Sequence, residues 1–286
     1  MTQQQGRIDL HTHSNVSDGA MTPAEVVRHA KEKGLAAIAL TDHDSMDGVP
    51  EAMAVGRAMG VEVVPGIEFS VQSDTETHIL GYYVDHEHPG IREMIGRQLA
   101  MRDERMEETE QLLQGLGFDV TLEEARALAP GGIVGRAHFA RVMVNKGLIG
   151  SVKEAFDRYL GTGRPAFSGR QALTAREAIH LIRDAGGLSF VAHPQKIELP
   201  DAELVVFLRE LKAEGLCGLE GYYSEYTPEM TEKFQRMARE LGLEISGGTD
   251  FHGSMKPHIE IGSGMGNLCI PYTVLVRIKE LRGCPA

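Results

Sequence analysis

The sequence has few cysteines, no long apolar run and no excess of positive charge. Its three cysteines, Cys217, Cys269 and Cys284, show no CxxC spacing and are too few for a disulfide framework, which indicates a reducing compartment. The sequence contains no run of about 18 apolar residues, which is the length needed to cross a membrane. The first residues also lack the basic and then apolar pattern of a secretory leader. We therefore expect a cytoplasmic protein with no membrane contact.

Charge and length narrow the function classes further. The formal charge of −12 at pH 7 argues against broad nucleic-acid binding through a basic surface. Bound cations and a few arginines can still reverse the local field for a nucleotide or a short oligonucleotide. A length of 286 residues, with 42% hydrophobic and 24% charged residues, is typical of a globular protein with one large α/β domain or two smaller ones.

Helical and strand-like patterns alternate along most of the chain. The first part reads as βαβαβ, which favours parallel strands with right-handed crossovers. Only nine residues separate Glu68 from His78, too few for a crossover helix, so a hairpin-like turn is expected to lead into a strand at 77–84. The third strand of the first part is expected at 61–64. Residues 99–170 are mostly helical in period, and one of these helices is expected at 152–159. We predict a helical insertion there, and a metal-binding barrel formed by 1–98 and 171–286.

Histidines and carboxylates recur at the ends of the predicted strands. His11 and His13 are two residues apart on a strand, so they project from the same side. Similar clusters follow or lie within other strand-like runs. A βα-barrel builds its active site from such positions at the carboxyl face. A doubly wound open sheet also places ligands beyond the strand ends, but would not easily converge so many strands on one point. We therefore predict an α/β barrel of about seven strands.

These clusters predict a metal site with nitrogen and oxygen ligands. The nine candidate ligands are His11, His13, Asp18, His43, Glu68, His78, His193, Asp250 and His252. Ligands of these types suit Mn²⁺, Zn²⁺ or Fe²⁺, and the ligand type alone does not choose between them. Nine ligands are too many for one ion and about right for two or three ions that share a bridging carboxylate. Glu68 is the natural bridge.

Taken together, the motifs resemble the polymerase and histidinol phosphatase (PHP) family of metal-dependent phosphoesterases. They are His11-Thr12-His13, Asp18, Thr41-Asp42-His43, Glu68, His78, Ala192-His193-Pro194 and Asp250-Phe251-His252. The resemblance covers the chain apart from the helical insertion. It implies a distorted (β/α)₇ TIM-like barrel with two or three divalent ions, of which Mn²⁺ is the first expectation. The implied ligand sets are His11, His13, Glu68 and Asp250; Glu68, His78 and His193; and Asp18, His43 and His252.

Two segments of the insertion, 135–141 and 159–167, are similar to those of PHP enzymes that act on nucleotides. This resemblance implies a phosphoric monoester hydrolase that removes the 3′-phosphate of nucleoside 3′,5′-bisphosphates, such as adenosine 3′,5′-bisphosphate, to leave the nucleoside 5′-monophosphate and phosphate. Close relatives act as 5′→3′ exoribonucleases on short RNA. The expected attacking group is a hydroxide that bridges two ions near Glu68. The expected catalytic residues are Glu68, His193, Asp250 and His252. The leaving oxygen is expected to be stabilised or protonated either by a third ion or by His252 and His193.

A second phosphate needs its own cationic partners. Arg136 opens a predicted helix after a Gly-rich turn, where backbone N–H groups favour an anion. The predicted substrate-binding residues are Arg136, His138, Arg164, Arg170 and Tyr223. The alternative for the arginines is a role in weak surface ion pairs. The alternative for Tyr223, which could stack on a base, is core packing.

Three other functions stay open at this point. They are exoribonuclease action on short RNA, hydrolysis of a monoester such as histidinol phosphate, and a non-catalytic PHP-like module that binds metal for stability or assists a polymerase. The complete ligand set speaks against the module, since a decayed site is expected to lose ligands. The expected partner is a small nucleotide or short oligonucleotide, and no obligate protein partner is evident.

Overall fold

In a computed structural model of the chain, residues 6–73, 75–129, 134–161, 163–168 and 173–283 are described. The strands are β1 (Arg7–Thr12), β2 (Leu35–Leu40), β3 (Glu62–Ser70), β4 (His78–Tyr82), β5 (Leu188–Val191), β6 (Gly218–Tyr223), β7 (Glu244–Gly248) and β8 (Ile270–Pro271). The helices are α1 (Pro23–Glu32), α2 (Val49–Met59), α3 (Pro89–Gly115), α4 (Leu122–Ala127), α5 (Arg136–Asn145), α6 (Val152–Ala155), α7 (Ala175–Asp184), α8 (Asp201–Ala213), α9 (Pro228–Leu241) and α10 (Thr273–Gly283).

The chain divides into two compact units. One comprises the residues up to Glu93 together with those from Leu173 onward, and the other is the segment between them, which begins at Met94. The boundary falls inside α3. The second unit is the helical insertion and has a core of its own, which includes Leu113, Phe139 and Leu160. Among the described residues, no helix combines the length and the apolar character needed to span a bilayer.

The eight strands of the first unit form one sheet in the order β7-β6-β5-β4-β3-β2-β1-β8. β1, β2 and β3 are parallel neighbours, as are β5, β6 and β7, whereas β4 runs antiparallel to both β3 and β5. The residues after β7 return to β1, where Asp250 N donates to His11 O at 2.9 Å and His13 N donates to Phe251 O at 2.9 Å. These bonds nearly close the sheet, which confirms the predicted barrel.

A glycine permits this closure. A Cβ atom on Gly248 would lie 2.2 Å from the Cβ atom of His11, a distance that real side chains do not tolerate. Because Gly248 has no side chain, the end of β7 packs directly against β1. This close approach places Thr249 and Asp250, the two residues that follow Gly248, beside the histidines at the end of β1.

The helices of the barrel begin and end where their sequences predict. Thr22 accepts a hydrogen bond from the backbone N–H of Glu25, whose side chain returns to Thr22, and Pro23 occupies the first turn of α1. Thr227 and Pro228 begin α9 in a similar way, and Gly242 ends it in the left-handed conformation. Because these capping signals are local and need no tertiary contact, the sequence alone predicts the ends of the helices.

Three features differ from the sequence prediction. β3 extends to Ser70 instead of ending near residue 64, because Pro65 and Gly66 continue the strand beside Leu40 instead of stopping it. An eighth strand of two residues, β8, pairs antiparallel with β1 and is too short to predict. The predicted single helix at 152–159 is the short α6 followed by one π-helical turn, Phe156–Leu160.

Candidate metal centre

Glu68 is fully buried near the carboxyl end of β3, and three histidines face one of its carboxylate oxygens. Oε2 of Glu68 lies 3.1 Å from Nε2 of His11 and 3.2 Å from Nε2 of His13. It also lies 3.3 Å from Nδ1 of His43, whose backbone bridges to β3 at Glu68. The alternation of β1 therefore presents His11 and His13 to one carboxylate, as period-two geometry requires.

Two further histidines face the other oxygen of Glu68. Oε1 lies 2.9 Å from Nδ1 of His78 and 3.2 Å from Nε2 of His193. His78 is the first residue of β4, and because β4 runs antiparallel, its amino end lies at the edge where the parallel strands end. His193 follows β5 with a left-handed φ of 25°, a conformation that non-glycine residues hold mostly at functional sites. The two oxygens of Glu68 thus serve two separate sets of imidazoles.

Asp250 follows β7, and its two carboxylate oxygens also have different partners. Oδ1 lies 3.3 Å from Nε2 of His13 and 3.3 Å from Nδ1 of His252. Oδ2 accepts hydrogen bonds from the hydroxyl of Tyr223 at 2.8 Å and from Nζ of Lys256 at 2.7 Å. Protein donors therefore hold one oxygen, while the other points toward the imidazoles.

A third group of ligand-type atoms lies around Asp18. Nε2 of His252 is 3.2 Å from Oδ1 of Asp18, and Nε2 of His43 is 3.9 Å from Oδ2. Nδ1 of His13 is 3.7 Å from Oδ1 of Asp18, so His13 lies between this group and Glu68. The Asp18 side chain is 44% exposed, whereas those of Glu68 and His13 are buried, so this group forms the solvent side of the centre.

Charges in the centre are strongly coupled. Burial opposes ionisation of Glu68, but His11 and His43 nearby hold the pKa of its carboxyl well below the usual value. Burial also opposes a charge on His11, yet the carboxylates of Glu68 and Glu220 raise the pKa of this imidazole well above its usual value. For His43 and His193, burial prevails and lowers the pKa. The ionised carboxylate of Glu68 therefore lies beside two imidazoles that stay neutral, His43 and His193, and beside His11, whose raised pKa favours a proton that a bound cation would have to displace.

Several buried imidazole nitrogens fit bound cations. Both ring nitrogens of His13, and Nδ1 of His43 and of His193, are buried without a hydrogen-bond partner among the described residues. An unsatisfied buried polar group costs about 1–3 kcal/mol, so such groups need an explanation. Among the described residues, ligand atoms converge within 4.8 Å of one another in four overlapping groups: His13, Asp18, His43 and His252; His11, His13 and Asp250; His43, Glu68 and His78; and Glu76, His78 and His193. This nitrogen and oxygen donor set suits divalent Mn, Zn or Fe.

Glu220, which the sequence did not single out, is buried in β6 and contacts two of the ligand candidates. Its Oε1 lies 3.0 Å from Nδ1 of His11, and its Oε2 accepts a hydrogen bond from the backbone N–H of His193 at 2.7 Å. An ionised carboxylate only accepts hydrogen bonds, so Nδ1 of His11 is the donor and Nε2 faces Glu68. Metal-binding histidines commonly have such a partner.

We expect Glu220→Gln to weaken Mn²⁺ binding by roughly 10- to 100-fold, because the partner that orients His11 loses its charge. Mn²⁺ affinity is measured by competition with a chelating dye. Glu214→Gln is the matched control, since Glu214 contacts His180 at 2.9 Å on the surface of the same unit. Equal Mn²⁺ affinity for Glu220→Gln and the unaltered protein would contradict this role.

Two more buried carboxylates brace the centre. Asp42 accepts hydrogen bonds from the backbone N–H and the hydroxyl of Ser14, both at 2.7 Å. Asp9 accepts a hydrogen bond from the backbone N–H of Thr249 at 2.9 Å, which ties β1 to the end of β7. Burial raises the pKa of both carboxyls. The sequence signal for Asp9 and Asp42 was that they lie close to predicted metal ligands. That signal does not distinguish a carboxylate that supports the backbone from one that binds metal.

The predicted substrate residues of the insertion have partners there. Arg136 begins α5 and donates to Leu160 O at 2.7 Å, and its guanidinium carbon lies 4.9 Å from the centre of the Phe167 ring. Nδ1 of His138 accepts a hydrogen bond from the backbone N–H of Gly135 at 3.0 Å. Both side chains therefore stabilise the start of α5, and any contact with substrate would be an additional role.

The other predicted substrate residues differ in their surroundings. Arg164 is exposed, and Arg170 lies outside the described residues. Tyr223 is fully buried, and its hydroxyl donates to Asp250. A fully buried ring offers no face for a base to stack on, so the structure gives Tyr223 a different role from the predicted one: it holds a ligand candidate in place.

Comparison with known proteins agrees with this architecture. The model of the PHP domain family matches residues 9–182. The chain is 34% identical to a 5′-3′ exoribonuclease of Haemophilus influenzae, over 86% of this chain and 90% of that protein. It is 31% identical to a 3′,5′-nucleoside bisphosphate phosphatase of Chromobacterium violaceum, over 89% of this chain and 90% of that protein.

A solved structure shares the fold over nearly the whole chain. It is that of an amidohydrolase from Chromobacterium violaceum with bound sulfate, and it superimposes with a TM-score of 0.83 at 30% identity, covering 96% of each chain. The family match spans more than half of the chain and includes five of the clustered histidines and carboxylates, at positions 11, 13, 43, 68 and 78, which lie on strands β1 to β4 or within three residues after them. This chain belongs to the PHP domain family.

Proposed function

We propose that this protein is a metal-dependent phosphatase that removes the 3′-phosphate from nucleoside 3′,5′-bisphosphates. The observation that carries the proposal is the geometry of Glu68, whose two carboxylate oxygens face separate sets of histidines. A carboxylate in this position is suited to join two cations. Paired cations are the usual means of hydrolysing phosphate esters, because the phosphate and its attacking water are both anionic in the reaction.

Divalent cations, when bound, would neutralise the phosphate oxygens and lower the pKa of a water molecule toward neutrality. The residues proposed to hold them are His11, His13, Asp18, His43, Glu68, His78, His193, Asp250 and His252. Tyr223 and Lys256 hold the second oxygen of Asp250, so this side chain cannot rotate away from the centre. His193 and His252 are the groups proposed to act on the leaving oxygen, and Nδ1 of His193 has no hydrogen-bond partner among the described residues.

The relatives support a substrate built from nucleotides, and their names point to two different reactions. One is named as a bisphosphate phosphatase and another as a 5′-3′ exoribonuclease, at 31% and 34% identity. Exoribonuclease action on short RNA is therefore a second candidate function. Both reactions break a P–O bond to a sugar oxygen, so one centre could serve either.

A substrate panel tests the two candidates. We expect nucleoside 3′,5′-bisphosphates to be cleaved at the 3′ position with kcat/KM roughly 10- to 150-fold above that of nucleoside 3′-monophosphates, because a second phosphate gains its own charge-assisted contacts. Phosphate release with Mn²⁺ added is measured for both, alongside nucleotide release from short 5′-phosphorylated RNA. Equal values for the bisphosphate and the monophosphate would contradict the bisphosphate assignment, and faster cleavage of RNA would favour the exoribonuclease.

Arg164→Ala is the variant that accompanies this panel. Arg164 is exposed, so its loss should leave the fold intact, whereas Arg136→Ala would also remove the bond to Leu160. If Arg164 contacts the second phosphate, the variant loses most of the preference for bisphosphates and keeps its activity on monophosphates. Arg158→Ala is the control, because Arg158 is an exposed arginine of the same unit that pairs with Glu154.

A further inference from the structure

We propose that Lys196 donates a hydrogen bond to the phosphoryl group that is cleaved, an inference that rests on the proposed phosphatase function. Lys196 lies in the turn Pro194–Ile197, directly after His193. Its backbone N–H donates to His193 O at 2.9 Å, which fixes the backbone of Lys196 next to a ligand candidate. The sequence did not single out this residue, because a lone lysine near a histidine carries no recognisable pattern.

The ammonium group of Lys196 lies beside the centre. Its Nζ atom is 5.8 Å from the centre of the Tyr223 ring, the residue whose hydroxyl contacts Asp250. Its side chain is only 22% exposed. Its Nζ atom also lies 3.0 Å from Oε1 of Glu76, a carboxylate that approaches His78 and His193 within 4.8 Å. The geometry is that of a partly buried cation aimed at a site for anions.

Lys196 is also available, unlike the other lysine beside Asp250. Lys256 donates to Oδ2 of Asp250 at 2.7 Å and is therefore used to hold that carboxylate. Lys196 instead pairs with Glu76 at 3.0 Å, and the Glu76 side chain is half exposed. Because the Glu76 carboxylate is half exposed, water can replace Lys196 as its partner when the ammonium turns to a phosphate oxygen. A phosphate dianion is the stronger competitor because ionised acceptors with more charge form stronger hydrogen bonds with an ammonium.

The chemistry of the substrate requires a donor of this kind. A phosphate monoester has three non-ester oxygens, and all of them carry charge through the reaction. The ligand candidates around Glu68 bind cations. Once cations are bound, these side chains offer the phosphate no hydrogen-bond donor. An ammonium at the edge of the centre supplies one donor to an oxygen outside the cluster, where it stabilises bound substrate, the transition state and the product phosphate.

The test compares Lys196→Met and Lys196→Arg with the unaltered protein in Mn²⁺. The matched control is Lys233→Met, since Lys233 also pairs with a carboxylate, Asp201 at 2.9 Å, and also lies over an aromatic ring. The substrate is p-nitrophenyl phosphate, and the readouts are kcat/KM, the inhibition constant of inorganic phosphate, and bound Mn²⁺ per chain.

We expect Lys196→Met to lower kcat/KM and to weaken phosphate inhibition by about 10- to 100-fold each, with bound Mn²⁺ unchanged. Lys196→Arg should recover most of both values because it keeps a cation at this position, and Lys233→Met should stay within about threefold of the unaltered protein.

Three results would overturn the inference. One is unchanged phosphate inhibition in Lys196→Met, the second is a loss of Mn²⁺ that accounts for the defect, and the third is an equal defect in Lys233→Met, which would mean that the effect is not specific to Lys196. Failure of the proposed function looks different. In that case, the unaltered protein with Mn²⁺ would release no phosphate from any ester of the panel.

Discussion

Glu68→Gln should lower kcat for phosphate ester hydrolysis by roughly 10³-fold or more, which corresponds to about 4 kcal/mol of lost transition-state stabilisation. The amide keeps the shape of the side chain but removes the charge that faces imidazoles on both of its oxygens. Asp250→Asn should have an effect of similar size, because Oδ1 of Asp250 faces two histidines in the same way. Bound metal per chain is measured beside kcat, since loss of an ion is the expected cause.

The control for these variants is His180→Gln. His180 lies in α7 and contacts Glu214 on the surface at 2.9 Å, away from the carboxyl ends of the strands. It should retain the kcat and the metal content of the unaltered protein. A defect in His180→Gln as large as that in Asp250→Asn would mean that the centre has been assigned to the wrong end of the barrel.

Removal of divalent ions should abolish hydrolysis, and Mn²⁺ should restore it. The reason is that both ring nitrogens of His13, and Nδ1 of His43 and of His193, are buried with no hydrogen-bond partner in the described part of the chain, and bound cations would satisfy them. Protein that has been dialysed against a chelator and then reloaded should bind more than one equivalent of Mn²⁺, because the ligand atoms form overlapping groups and not one. Elemental analysis of the reloaded protein gives the stoichiometry.

Thermal unfolding supplies a second readout of the same prediction. A ligand that binds only the folded state raises its stability, by about 2.7 kcal/mol when present at 100 times its Kd, so the melting temperature should rise with added Mn²⁺. The Glu68→Gln variant should show a smaller rise. Full activity after dialysis in excess chelator would end the metal-dependent interpretation.

The strands and helices were largely predictable because their signals are local. The cap at Thr22, the apolar run of β2 and the left-handed Gly242 act within a few residues of themselves. The convergence of the histidines was predictable for a related reason. In a barrel, the carboxyl ends of parallel strands meet at one face whatever the intervening helices contain, so a strand-end histidine is placed by topology alone.

The sequence by itself therefore predicted the barrel and brought the strand-end histidines to one face of it, where they meet Glu68. Only the tertiary structure decided which atoms face each other and which residues support them. Glu220 contacts His11 across 209 positions of sequence, and no periodicity links them. Tyr223 likewise contacts Asp250 and does not stack on a nucleotide base, because β6 and β7 are neighbours in the sheet. Such pairings depend on side-chain packing between distant strands, where burial makes each unsatisfied polar atom costly and so selects one arrangement.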